Sequence, residues 1–138
     1  MFVKISGTPD YHFKATSNNG SAFDIGASKS IGGDERGFRP MELVLAALGS
    51  CSGIDVVNIL KKSRVEFTTV DIELDGTRKD GAIPSPYTAI KLKFFIHGPN
   101  VDKQKAEKAV ALSLDKYCSV SASLDPHIAI TSETILDG

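Results

Sequence analysis

The chain has 138 residues, of which 41% are hydrophobic and 24% charged, and a formal net charge of -1. That size and balance predict a single globular domain, residues 1–138, with enough core to fold without cross-links, and exclude a disordered chain. A near-neutral charge offers no electrostatic grip on nucleic acid or on an anionic membrane surface, so neither is expected as a partner.

The chain opens on Met1-Phe2-Val3-Lys4-Ile5, which reads as a strand and lacks the long apolar core of a secretion signal; the expected location is the cytoplasm. Tyr11 to Ala15 and Ser21 to Ile25 alternate around the turn Ser17-Asn18-Asn19-Gly20, the pattern of a small β-meander. Residues 26–38 carry four glycines and mixed charges and read as a loop. Pro40 suits the first turn of a helix, and Lys61, Lys62 and Arg64 suit its carboxyl end. Val70, Ile72 and Leu74 then alternate with acids, Thr77 to Pro86 forms a turn or flap, and Ile90, Leu92, Phe94 and Ile96 resume the two-residue period. Asp102 is placed to cap a second helix whose inner face is Ala106, Val110, Ser113 or Leu114, and Tyr117. A last strand is expected over His127 to Leu136. The order βββ-α-ββ-α-β predicts an α+β fold with antiparallel sheet.

Between Met41 and Leu60 the apolar residues go most of the way round the helix, from Leu43, Val44, Leu45 and Leu48 to Ile54, Val56, Val57, Ile59 and Leu60. Such a helix needs cover on nearly every side, and one sheet covers only one. A second copy of the chain is the expected remaining cover, as an extensive apolar homodimer interface. Gly49 and Gly53 would allow a neighbouring backbone to come close. Glu42, Asp55 and Asn58 interrupt the run and argue against a membrane span.

The chain has two cysteines, Cys51 inside that helix and Cys118 at the close of the second. Two are too few for a disulfide scaffold and read better as a reactive pair. Leu48, Cys51, Asp55 and Asn58 recur at intervals of three and four, so they share one helix face. A carboxylate beside a thiolate opposes its charge, which calls for a compensating cation; Arg39 and Arg36 are the nearest in sequence. Against this stands the plain reading of Cys51 as a small buried hydrophobe. His12, His97 and His127 show no metal-ligand spacing, so no metal is expected. No phosphate-binding glycine loop follows a strand, and no nucleophile elbow is present, so no cofactor is expected.

Pro40-x-Glu42-Leu43-x-x-Ala46-Ala47-x-Gly49-Ser50-Cys51, succeeded much later by Tyr117-Cys118-Ser119-Val120-Ser121-Ala122-Ser123-Leu124, resembles the OsmC/Ohr superfamily of osmotically induced and organic-hydroperoxide-resistance proteins. Met41-Glu42-Leu43 and Cys51-Ser52-Gly53-Ile54-Asp55 look most like its YhfA-type branch. The resemblance implies antiparallel sheets wrapped round long central helices in an intertwined homodimer. It implies a thiol peroxidase of oxidative-stress defence, with Cys51 attacking an organic hydroperoxide, Cys118 resolving the sulfenic acid to a disulfide, and a dithiol, often lipoyl-linked, restoring both. The chain departs from the hydroperoxidases in two places. Asn18 stands where their turn arginine falls, and Glu42 comes one residue later than their glutamate, about 100° round a helix. Arg39, held in a bidentate pair by Glu42, is the expected substitute cation, although twelve residues place it about 18 Å along the helix axis from Cys51. Two rivals stand beside the peroxidase: a non-enzymatic protein that binds a hydrophobic small molecule at the dimer interface, with sensory or vestigial cysteines, and a structural dimer with inert thiols.

Overall fold

The computed structural model describes residues 1–137, and these group into two compact units, Met1–Val44 and the chain from Leu45 onward. In the first unit, β1 (Val3–Gly7), β2 (Phe13–Ser17) and β3 (Ala22–Ile25) form the expected antiparallel meander. Its register places Ile5, Ala15 and Phe23 opposite one another, and Gly7, Phe13 and Ile25 likewise. Alternation therefore gathers the apolar residues on one face. Ala15 is buried on that face, yet Ile5 and Phe23 remain 52% and 46% exposed. The loop after β3 contains a 3₁₀ turn at Lys29–Ile31.

Helix α1 spans Pro40–Lys62, the range expected from its start and stop residues. Glu42 occupies the third helical position and its Oε1 accepts the Arg39 backbone N–H at 2.7 Å, which satisfies one of the donors that a helix start leaves unpaired.

The second unit is built on a three-stranded sheet of β4 (Thr69–Arg78), β5 (Tyr87–His97) and β6 (Ala129–Asp137), with β5 in the middle. Strands β4 and β5 pair antiparallel, with Ile72 opposite Phe94 and Leu74 opposite Leu92. Strand β6 pairs parallel to β5, so this sheet is mixed where a wholly antiparallel one was expected. The reason is the connection. Helix α2 (Lys103–Leu112) and the helical turns after it return the chain to the end where β5 began, which a tight hairpin cannot do. The inward residues Ile90, Leu92, Phe94 and Ile96 of β5 are fully buried. Asp102 caps α2 as expected, its carboxylate accepting the Lys105 N–H at 3.0 Å.

From Leu48 onward α1 buries a single stripe: Leu48, Gly49, Ser52, Gly53, Val56 and Leu60. Gly49 and Gly53 do provide close approach, but to their own sheet. A Cβ at Gly49 would lie 2.6 Å from Leu74 Cδ1, and one at Gly53 2.7 Å from Ile72 Cδ1. The opposite side stays open, with Ile54 at 64% exposure. By length and composition α1 is also apolar enough to cross a bilayer, and one face of it here covers a sheet.

Candidate functional site

Cys51 and Asp55 lie one turn apart on α1, on the face expected from their spacing. What brings Cys118 to them is a change of helix type. After Leu112 the chain passes into a π-helical turn, Ser113–Tyr117, closed by the Cys118 N–H donating to Ser113 O at 2.7 Å. The wider turn inserts a residue into the helical phase. Tyr117, expected on the inner face, is instead 52% exposed, and Cys118 takes the buried position. Cys118 is extended and caps the short helix α3 (Ser119–Ser123), its Sγ accepting the Ser121 N–H at 3.4 Å.

The result is a cluster in which the sulfurs of Cys51 and Cys118 and a carboxylate oxygen of Asp55 all lie within 4.8 Å of one another. Both cysteines are free thiols; Cys118 is buried and Cys51 half-buried. Burial is the main influence pushing the Cys118 thiol above its ordinary pKa; the Ser121 N–H opposes it and the neighbouring Cys51 adds to it. Beneath the cluster sits Ser113, fully buried, with its hydroxyl 3.2 Å from Asp55 Oδ2 and 3.1 Å from Ser52 O. It joins the π turn to α1 and holds Asp55 in place. The helical period alone places Ser113 only among the possible core positions of α2. A hydroxyl where that period calls for an apolar side chain was the available signal.

The other expected site residues have different work. Arg39 donates from Nε to Gly26 O at 3.0 Å and from a terminal nitrogen to Gly37 O, which pins the loop before α1. Glu42 engages the Arg39 main chain, so the bidentate side-chain pair is absent among the described residues. The helix start explains this: the third helical position reaches back to the first free N–H more directly than to a long side chain. Arg36 pairs with Asp34 at 3.0 Å. Asn18 belongs to the turn between β2 and β3, as expected. The histidines are scattered, each beside an acid: His12 with Asp24, His97 with Asp71, His127 with Asp125. Among the described residues the one group able to offer three ligand atoms to a metal is Cys51, Asp55 and Cys118.

Beside the same helix, an apolar groove of about 370 Å³ runs between α1 and β4. Gly49, Gly53, Ile54, Val57, Val70 and Ile72 are among its lining residues.

The family model described as OsmC-like protein matches residues 32–133. Protein YhfA of Escherichia coli K12 is 41% identical over 92 residues, covering 67% of this chain and 68% of that protein. A crystal structure of a hypothetical protein from Aquifex aeolicus VF5 superposes with a TM-score of 0.82 at 34% identity, over 99% of this chain and 97% of that one. The organic hydroperoxide resistance protein OhrB of Bacillus subtilis shares the fold at a TM-score of 0.65 and 19% identity, over 97% and 98% of the two chains.

Proposed function

The chain belongs to the OsmC family, and from that membership and its paired thiols we propose that it is a stress-related redox protein acting as a thiol peroxidase on organic hydroperoxides in the cytoplasm. The observation that carries this reading is the placement of a half-buried and a buried thiol within 4.8 Å of each other, on elements far apart in sequence.

The roles come from accessibility. Cys51 is the thiol that solvent and substrate can reach, so it attacks first. Its thiolate displaces the O–O bond, one oxygen staying on sulfur as sulfenic acid and the other leaving, with a proton, as the alcohol. Cys118, kept protonated by burial, does not compete for the hydroperoxide. Its sulfur then attacks the sulfenic acid, water leaves, and a disulfide forms. A dithiol, lipoyl-linked in keeping with the family, exchanges with that disulfide and restores both thiols. Ser113 fixes the Asp55 carboxylate beside the two thiols. Arg39 and Glu42 support this scheme by ordering the start of the helix that bears Cys51.

The proposed assembly is a homodimer. Ile54 on α1 and the exposed apolar face of the β1–β3 meander are the surfaces a second copy would cover. A second reading draws on the groove lined by Ile54, Val57 and Ile72, which suits a hydrophobic small molecule in a protein without turnover. A coupled assay with an organic hydroperoxide and a dithiol decides between them. The peroxidase reading expects turnover that Cys51→Ser abolishes. Saturable binding of a lipophilic probe by protein that shows no turnover would replace it with the binding reading.

A further inference from the structure

We propose that Cys51, Asp55 and Cys118 form a binding site for a zinc-class divalent ion, with two thiolates and one carboxylate as ligands and a fourth position open. This goes beyond the redox reading and does not depend on it, since it needs no hydroperoxide chemistry.

Geometry comes first. The three ligand atoms lie within 4.8 Å of one another. An ion equidistant from three atoms at that limiting separation would sit about 2.8 Å from each, while zinc takes sulfur at about 2.3 Å and carboxylate oxygen at about 2.0–2.2 Å. Closing the difference moves each sulfur about 0.5 Å and the carboxylate oxygen about 0.6–0.8 Å inward, a displacement on the scale of side-chain rotation. The ligands also come from two separate stretches of chain. Two are one turn apart on α1, and the π turn delivers the third.

The chemistry of the donors selects the ion. Calcium and magnesium are hard ions that take oxygen ligands, and two of the three donor atoms here are sulfur. Two thiolates with one oxygen suit zinc and its spectroscopic surrogate cobalt. The outer contacts point the same way. Asp55 Oδ2 is held by the buried Ser113 hydroxyl, itself anchored on Ser52 O, and Cys118 Sγ is held by the Ser121 N–H. Such outer hydrogen bonds orient metal ligands and support their affinity. Burial is graded across the site: Cys118 lies inside, while Cys51 and Asp55 are half-buried. That leaves one side open for the ion to enter and for an exchangeable fourth ligand.

The test uses the full, reduced chain with zinc alone, competed against a chromophoric chelator, and with cobalt as the optical probe. One ion per chain is expected at low micromolar metal, with a near-ultraviolet sulfur-to-cobalt charge-transfer band and the visible bands of a tetrahedral ion. Ser113→Ala should weaken zinc binding by about 10–100-fold, the range for losing an outer contact, and Asp55→Asn, which removes a direct ligand, by at least as much. Cys118→Ser should cut the charge-transfer intensity by about half, in line with one thiolate in place of two. Wild-type protein alkylated at both thiols serves where a variant fails to fold, and it should bind no cobalt. Substoichiometric binding at tens of micromolar metal, a cobalt complex without the charge-transfer band, or undiminished binding by the alkylated protein would each overturn the proposal. A chain that lacks peroxidase turnover yet gives the expected cobalt spectrum would separate the failure of the redox reading from that of the metal site.

Discussion

Ser113→Ala isolates the contact that ties the π turn to the thiol-bearing helix. The side chain is fully buried, and its hydroxyl lies 3.1 Å from Ser52 O and 3.2 Å from Asp55 Oδ2. A hydroxyl has one proton, so it serves both acceptors by sharing rather than by two full bonds. Losing a hydrogen bond to a charged group costs about 1.5–3 kcal/mol. Two effects reduce that here. Asp55 is half-buried, so water recovers part of the loss, and alanine's better helix propensity returns a few tenths, about 0.3–0.5 kcal/mol. The net expectation is a loss of about 1–1.5 kcal/mol. Urea unfolding at one fixed protein concentration, under reducing conditions, reads this as a lower midpoint with an unchanged slope. A double-mutant cycle with Asp55→Ala should show a coupling of at least about 0.5 kcal/mol, because the two residues touch. Additive losses, or a loss under about 0.5 kcal/mol for Ser113→Ala, would refute the claim that this hydroxyl organises the cluster.

In Cys51→Ser, the alkylation rate of Cys118 against pH should give a midpoint above the ordinary thiol value of about 8.5, because burial, the largest influence on it, remains. The native state then holds a proton that the unfolded chain has already lost, so stability should fall as pH rises from about 8.5 toward the folded midpoint and be fully present below that window; a midpoint at or below 8.5 would contradict the burial argument. Ile54→Asp should weaken self-association, since burying an isoleucine contributes about 1.5–3 kcal/mol and Ile54 is 64% exposed in the single chain. Sedimentation should show a dimer for the wild type at low micromolar concentration; a stable folded monomer, or a dimer indifferent to Ile54→Asp, would refute the proposed interface.

The elements with clear periods were legible before any coordinates. Pro40 and the basic cluster of Lys61, Lys62 and Arg64 marked the two ends of α1, and Asp102 marked the start of α2. Strand β5 declared itself through Ile90, Leu92, Phe94 and Ile96. The direction of β6 was not legible, because its alternation is the same whichever way the strand runs and only the path of α2 decides it. Nor was the π turn: a period of 3.6 residues places Tyr117 inside, and the extra residue that turns it out and Cys118 in depends on a backbone bond from Cys118 to Ser113. Cys51, Asp55 and Cys118 were each visible by type, and Cys51 and Asp55 by spacing. Arg39 was expected as the cation serving Cys51 and Glu42 as its bidentate partner, and their actual bonds are those of a loop anchor and a helix start.

The same helix therefore divides its circumference among three tasks, and the division explains its composition. Glycine at 49 and 53 lets the Leu74 and Ile72 side chains of the sheet settle against the helix surface, where any larger residue would meet those methyl groups at under 3 Å. That stripe is filled from within the chain. A second face, bearing Cys51 and Asp55, is met by Ser113 and Cys118, and polar groups are tolerated there because they satisfy one another. The third, bearing Ile54, stays largely exposed among the described residues. An apolar residue left in water forgoes the stabilisation its burial would give, about 25 cal/mol per Å² of apolar surface. In the proposed homodimer a second copy would cover this side of the helix and supply the same apolar chemistry by symmetry. In the proposed peroxidase the thiol pair and the exposed face then belong to one design, the helix holding Cys51 half-buried on one side and offering a surface for association on another.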